Sequence, residues 1–481
     1  MNRARFYKAI KPHLLTILTV LAVIFSIVLG IILRVNHDKY SARTVMYVNF
    51  LGDLFLRMIR ALILPLIISS LISAIAPLDF LLSKKIGLRA IVYILVTTII
   101  AVILGIVLVV TIKPGGAGLE DNEEGIVSNR KSSTIVDTLL DLIRNIFPPN
   151  IVQATLQTYQ TTLTPPEDNP DADINDWIIS SHYVDGTNML GVVAVSIIFG
   201  ITMSLVREKV KGLIDVTLEF TLIMMKIIQF VIWLTPIGVF FLILAKFLEM
   251  DDILDVFAKL GLYLATVSLG IFVHGFIFLP AIYFAFTKKN PLRFIAHMGP
   301  AILTALGTSS SLATLPVSLK CVEEKAKIDV RVSRFMLPLG ATINMNGTAL
   351  YEAVAAIFIA QLRQIDLSIG SIIAVCITAT CASIGTAGVP QAGLVTLVMV
   401  LDSIGIPAED ISLIIAIDWI VNRIRACVNI LGDAYGAAII EAISKKELDK
   451  LPIEAPNDVE TAKEETTNLN GNATDVRLKE V

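Results

Sequence analysis

Three long apolar runs in the C-terminal half of this chain are each broken near the middle by small and polar residues. The first is cut by GTSSS at 307–311, the second by ATINMNGTAL at 341–350, and the third by GTAGVPQAG at 385–393. Hydrocarbon offers no partner to a free backbone amide or carbonyl. Unwound chain at membrane depth therefore survives only where it is buried in protein or lines a cavity. A chain with three such breaks has to build a polar interior inside a membrane fold.

The rest of the chain requires that the fold be a membrane fold. Of its 481 residues, 55% are hydrophobic, and stretches long enough to cross ~30 Å of hydrocarbon recur along it. Apolar segments at 14–33, 45–75, 88–112, 189–205, 213–247, 253–286, 336–362 and 411–444 predict eight spans of an all-α polytopic protein. The clusters Arg3, Arg5, Lys8, Lys11 and Lys84, Lys85, Arg89 mark the cytoplasmic side. Both termini are then cytoplasmic, and the first helix is uncleaved. The broken segments 294–318 and 369–404 each read as a hairpin that enters and leaves on one face. One enters from inside and the other from outside, which makes an inverted repeat. Matching breaks in two repeats point to a transporter binding site.

Other chemistries find no support. The net charge is −3 without a basic stripe, so no nucleic acid is expected. Cys321, Cys376, Cys381 and Cys427 show no CxxC spacing and read as buried thiols. The five histidines stand at no ligand spacing, and no nucleophile elbow, phosphate loop or triad occurs, so the chain does not read as an enzyme. The polar, acidic stretch 115–188 reads as an extracellular loop with a short helix near 135–146 and no Asn-x-Ser/Thr acceptor. The charged end, 445–481, reads as a disordered cytoplasmic tail.

The motifs TSSSLATLP (308–316), NMNGTALYEAVAAIFIAQ (344–361), SIGTAGVPQAGL (383–394) and DWIVNRIRACVNILGD (418–433) resemble those of the glutamate and neutral amino-acid transporter family, the excitatory amino acid transporters. The likeness runs from about Leu14 to Leu448. It implies a homotrimer in the cell membrane, in contact with lipid, in which a scaffold part holds an elevator-type transport part. On that division 1–83 carries scaffold helices 1–2 and 84–114 transport helix 3. The loop 115–188 is followed by scaffold helices 4–5 at 189–250. The transport domain continues at 251–444, with helix 6, hairpin 1, helix 7, hairpin 2 and helix 8. The resemblance also implies Na+ coupling, H+ and K+ coupling, and a Cl− conductance.

Site residues follow residue by residue. Arg425, a cation in mid-membrane, costs ~2.5–3.5 kcal/mol on insertion scales unless it is partnered. It can fork onto a substrate carboxylate or form an ion pair with Glu352, which the resemblance links to coupling. Ser309, Ser310 and Ser311 start a half-helix and suit a carboxylate, although serines there are equally good caps. The resemblance adds Thr348, Asn429 and the second hairpin tip, Ala387, Gly388, Val389 and Pro390, to the substrate contacts. It makes Thr342, Ser383, Ile384 and Thr386 one sodium site, and Asn344, Asn429 and Asp433 another, with Met345 beside them. A third site would use Thr97, Thr98, Asn344 and Asn346.

The chain departs from the family at that third site and at the amine anchor. Asn346 stands where an aspartate is usual and Ile94 where a tyrosine is usual. Losing a full charge 4 Å from an ion forfeits ~4 kcal/mol at an effective dielectric of 20. Asn422 and Ala426 stand where an aspartate and a threonine usually hold the substrate's ammonium. The carboxylate anchors remain, so the substrate is glutamate, aspartate or a related dicarboxylate. The same losses also fit a transport-deficient member that serves as an anion channel or substrate sensor.

Overall fold

A computed structural model describes residues 14–36, 40–76, 84–116, 135–164, 177–249, 253–386, 392–407 and 411–449. The first helices are α1 (Leu14–Asn36), α2 (Ala42–Ile75) and α3 (Lys84–Ile112). Two short helices, α4 (Ile135–Ile146) and α5 (Ile151–Ala154), lead into strands β1 (Gln157–Thr164) and β2 (Ile178–Asp185). Helices α6 (Met189–Leu205), α7 (Lys211–Trp233), α8 (Thr235–Glu249) and α9 (Ile253–Val273) follow. A π-helical turn, His274–Phe278, joins α9 to α10 (Leu279–Thr287). The broken segments are α11 (Pro291–Thr308) with α12 (Ser311–Lys320), α13 (Val330–Ile343) with α14 (Asn346–Leu362), and α15 (Ile369–Gly385) with α16 (Ala392–Ser403). A long helix, α17 (Ile411–Leu448), ends the described chain.

The helices cluster in two packing groups. In one, α8 lies along α1 and α2, and α2 also packs on α6 and α7. In the other, α14 is the centre, with α3, α9, α15 and α16 around it. Burial separates the two roles. An 18-residue stretch of the span Val330–Leu362 is wholly enclosed by protein, whereas only 17% of the corresponding stretch of Lys211–Trp233 is buried, leaving its apolar side chains for lipid. Among the described residues, six helices are long and apolar enough to cross a membrane. The other two expected spans fall short for different reasons. α6 has only 17 residues, and the apolar residues of α17 are interrupted by Asp418, Arg423, Arg425 and Asp433, with Glu441, Lys445, Lys446 and Glu447 near its end.

Several expectations change in detail. The predicted helix 213–247 is two helices with a break at Leu234, where Pro236 cannot continue the backbone ladder of α7. The polar loop contains an antiparallel β-hairpin, paired from Gln157 opposite Asp185 to Thr164 opposite Ile178. Helix α4 grips its first strand. Thr161 N donates to Asp141 Oδ2 at 2.6 Å, and Asn145 exchanges bonds with Tyr159 N and O, each at 3.0 Å. The same module reaches hairpin 2: Ile146 of α4 and Leu190 of α6 pack with Ala374 and Ile377 of α15. The expected tail starts late, because 445–448 still belong to α17; the remainder, 450–481, lies outside the described residues.

Outside the membrane-spanning segments, Asp329 anchors the start of α13. Its carboxylate caps Arg331 N at 2.9 Å and takes the Arg331 fork at 3.0 and 2.6 Å. Its own amide donates to Glu441 Oε1 of α17 at 2.7 Å. The Arg331 hydrogen bonds hold the Asp329 carboxyl below the usual carboxylate range, against a smaller opposing effect of burial. A group whose folded value lies below its unfolded one stabilises fully above about pH 4 and loses that contribution as pH falls through the folded value. Asp329→Ala should therefore cost about 1–2 kcal/mol at neutral pH through the lost cap. In thermal melts, the gap to the unmodified protein should narrow below about pH 4. A gap that stays constant down to pH ~3 contradicts this assignment.

Candidate functional site

The break in α13–α14 is two residues wide. Asn344 and Met345 leave helical geometry, and no side chain of either caps the start of α14. A helix start has free N–H groups that need acceptors. One is supplied from another helix: Asn429 Oδ1 of α17 accepts from Gly347 N at 2.8 Å. This works only because the two backbones touch. A Cβ on Gly347 would sit 2.9 Å from Arg425 O and 3.0 Å from Arg425 Cα. A Cβ on Gly340 would overlap the Asp433 carboxylate.

The hairpins close on the same place. At the tip of hairpin 1, Ser309 adopts a left-handed conformation (φ 53°), which ends α11. Ser310 Oγ then accepts from Ala313 N at 3.2 Å and caps α12. The end of α11 is also held from α17, where Arg423 Nη1 donates to Leu306 O at 2.6 Å and Gly307 O at 3.2 Å. Hairpin 2 meets the other packing group: Ser70 Oγ of α2 donates to Gly385 O at 3.0 Å.

Between the hairpins lies a cavity of about 20 Å³, room for one water and far less than an amino acid needs. Ser309, Ser311, Thr348, Asn422, Arg425, Ala426 and Asn429 line it, so seven of the expected substrate positions converge there. Met345, Thr386 and Gly393 complete the wall. Ser310 does not line it and serves as the cap just described. Ala387, Gly388, Val389 and Pro390 lie outside the described residues.

Arg425 is almost wholly buried, and its partners differ from those expected. Its Nε and Nη2 both donate to Asn422 Oδ1, at 3.0 and 2.7 Å. Its ion pair is with Asp418, at 3.8 Å, rather than with Glu352. Its guanidinium carbon stands 4.6 Å over the Tyr351 ring. Its Nη1 makes no hydrogen bond. At that separation and an effective dielectric of 20, the Asp418 charge is worth ~4 kcal/mol, enough to match the insertion cost of the arginine. Asp418 was the partner missed in sequence. Its signal was available, since it precedes Arg425 by seven residues and so lies on the same helix face two turns away. Glu352 instead accepts from Thr396 Oγ1 of α16.

The expected cation ligands fall into connected groups. Asn344 Nδ2 donates to Asp433 Oδ1 at 2.9 Å, and Asn429 Nδ2 faces Met345 Sδ at 3.2 Å and Thr348 Oγ1 at 3.4 Å. At the third group, Thr98 Oγ1 donates to Asn346 Oδ1 at 2.8 Å, leaving Asn346 Nδ2 buried without a partner. Asn344 Oδ1 is likewise unpartnered. Thr97 bonds back to Tyr93 O at 2.9 Å, and Ile94 is buried beside it. Thr342 and Ser383 bond within their own helices, to Leu339 O at 2.7 Å and Thr380 O at 2.8 Å, while α13 packs on the α15 that carries Ser383 and Ile384.

The pattern that defines the sodium:dicarboxylate symporter family matches residues 15–443. Excitatory amino acid transporter 3 of Homo sapiens is 48% identical, over 92% of this chain and 88% of its own length. The same transporter of Oryctolagus cuniculus is 47% identical over the same shares. An excitatory amino acid transporter of Caenorhabditis elegans is 44% identical, over 93% of this chain and 91% of its own.

The contact at Gly347 generates a stability test. Helix propensity alone favours alanine over glycine by ~1 kcal/mol. Overpacking against Arg425 should reverse the sign and cost about 1–3 kcal/mol. Gly212, which has nothing within 4 Å of an added Cβ, is the control. Thermal melts should place Gly347→Ala below the unmodified protein and Gly212→Ala at or above it. A stabilised Gly347→Ala would mean that the α14–α17 approach is looser than described.

Proposed function

The chain belongs to the sodium:dicarboxylate symporter family, and on that premise we propose that it is a sodium-coupled secondary-active symporter of glutamate, aspartate or related dicarboxylates. The observation that carries this reading is Arg425, a buried guanidinium lining a cavity between two hairpins, whose Nη1 makes no hydrogen bond and has only the Asp418 carboxylate, 3.8 Å away, as an ionic partner. Nε and Nη2 close on one amide oxygen of Asn422, a weak neutral acceptor. A carboxylate is the stronger partner for that fork and displaces Asn422 from it. Among the described residues no acid lines the cavity to meet an ammonium, so amine-free dicarboxylates fit at least as well as amino acids.

The rest of the reading is mechanical. The group of α1, α2 and α6–α8 is the scaffold, and the group around α14 is the transport part of an elevator, within a homotrimer. Entry of substrate requires the 20 Å³ cavity to expand, with hairpin 2 as the gate. Hairpin 1 exposes Leu303 and Leu306 while hairpin 2 is held against α2 through Ser70. With hairpin 1 on the cytoplasmic side, this is the cytoplasm-facing arrangement. Coupling is altered at the third cation site, where Thr98 occupies the Asn346 oxygen and the amide turns its donor inward, a poor ligand for a cation. An associated anion conductance and coupling through Glu352 belong to the same reading. An anion channel without transport is the rival.

Labelled-substrate counterflow in proteoliposomes separates these two. Glutamate, aspartate or succinate should exchange only when sodium is present. Arg425→Cys should abolish that flux and admit small neutral amino acids. Anion current without counterflow, or acidic flux unchanged in Arg425→Cys, overturns the proposal.

Asn346→Asp combined with Ile94→Tyr should steepen the sodium dependence of uptake by about one ion and lower the half-saturating sodium concentration more than tenfold. An unmoved sodium curve would mean that the third site is not what these two residues control.

A further inference from the structure

Transport gives the polar loop no task, yet the loop is built more firmly than a connector needs. Helix α4 has 12 residues, too few to be stable alone, and a two-stranded ribbon such as β1–β2 is no better alone. Asn145 joins them. Its side chain pairs with Tyr159 N and O, each at 3.0 Å, and its own carbonyl accepts from Asn188 Nδ2 at 2.8 Å. Asn188 Oδ1 in turn caps α6 by accepting from Gly191 N at 3.0 Å. A Cβ on Gly191 would stand 2.7 Å from the Asn145 carbonyl, so this approach requires glycine. Both asparagines are buried.

This joint presents two apolar side chains, Ile146 beside Asn145 and Leu190 two residues beyond Asn188. They lie against Ile373, Ala374, Ile377 and Cys381 of α15 and against Ile404 just past α16. Ile373, Ile377 and Cys381 are spaced by four and share one face of α15. Ser70 of α2 holds the far end of the same helix through Gly385 O at 3.0 Å. Eight residues of α-helix separate Ile377 from Gly385, a rise of about 12 Å. A helix held at one point can pivot, whereas two points at that separation set its tilt. Both points come from outside the transport group, and α15 is the first arm of hairpin 2.

We propose that the polar-loop module is a brace for hairpin 2, in which Asn145 is a positioning residue that sets Ile146 and Leu190 as a fixed seat for α15. This rests on the reading of hairpin 2 as the gate of an elevator, and it assigns to the loop the task of holding the first arm to the scaffold. The seat is apolar, so it attracts by burial without fixing a direction, and α15 can part from it when the transport group slides. Sliding outward carries Ile373 and Ile377 off the seat. The brace therefore favours the cytoplasm-facing arrangement in which it is made.

Hydrogen–deuterium exchange of the purified full chain tests the brace, because local opening of an element shows in its own amides. Leu190→Ala empties part of the seat, and amides at 373–381 should exchange about tenfold faster. Asn145→Ala keeps both seat residues and frees the joint; the same amides should exchange about fivefold faster. Amides at 426–433 of α17 are the internal reference and should stay within about twofold in both variants. Ile179→Ala, at a strand position that is 71% exposed, should change neither set. Unchanged exchange at 373–381 in Leu190→Ala or in Asn145→Ala overturns the brace, and so does equal acceleration at 426–433. Should Asn145→Ala fail to melt cooperatively, Asn188→Ala opens the same joint from the α6 side. Counterflow is measured separately. Counterflow with unresponsive 373–381 amides refutes the brace alone. Responsive amides without counterflow in the unmodified protein refute the transport reading alone.

Discussion

A guanidinium enclosed by protein at membrane depth is the constraint on which the rest of this structure depends. Arg425 has room for no more than about one water beside it, so most of it has to be met by protein groups. Asp418 supplies the counter-charge, Asn422 the hydrogen-bond acceptor and Tyr351 the π face. Those three come from two helices, α17 and α14, which therefore have to lie side by side. Once they do, the unwound turn at Asn344–Met345 is fixed against α17, because its free amide can reach Asn429. Ser309 and Ser311 of hairpin 1, with Thr386 and Gly393 of hairpin 2, then border the space that remains around the arginine.

Close approach is the means by which this is built. Long side chains would hold α14 away from α17, so the contact is made through Gly347, and Gly340 leaves room for Asp433. Polar atoms freed from the helical ladder are taken up across the contact rather than along the chain. Asn344 bonds to Asp433 and Asn429 reaches Gly347, while Arg423 takes the last carbonyls of α11. A few buried atoms remain without a hydrogen bond, notably Asn344 Oδ1 and Arg425 Nη1.

Much of this was legible in the sequence, for physical reasons that differ from place to place. The breaks at 307–311, 341–350 and 385–393 stood out because small polar residues in an apolar run have no other use at membrane depth. Helix ends were readable to within a few residues where caps or charges flank them, as at Ser41 and Lys84. The β-hairpin was hidden because QTYQTTLT is polar on both faces and looks like loop. Its fold is set by Asp141 and Asn145 on a separate helix. The partner of Arg425 was misjudged because a helix-spaced acid and a distant glutamate are both chemically apt, and only packing decides between them. Thr396 gave no signal at all. A lone threonine in a buried helix ordinarily bonds back to its own carbonyls, and only the approach of α14 gives it Glu352.

The π-helical turns at His274–Phe278 and Cys321–Lys325 have a consequence for length rather than for chemistry. Such a turn is an α-helix carrying one residue more than its path needs. The surplus rotates everything after it relative to everything before. Ahead of the first turn, Tyr263 stacks on Phe358 of α14; after it, Tyr283 packs against Phe294 and Tyr435. Removing a single residue from that turn would therefore leave a helix that is locally more regular, yet it would swing Tyr283 out of its aromatic cluster. The extra residue is the spacer that lets one continuous span address two neighbours in different directions, and a count of residues along the helix is as much a part of its specification as their identities.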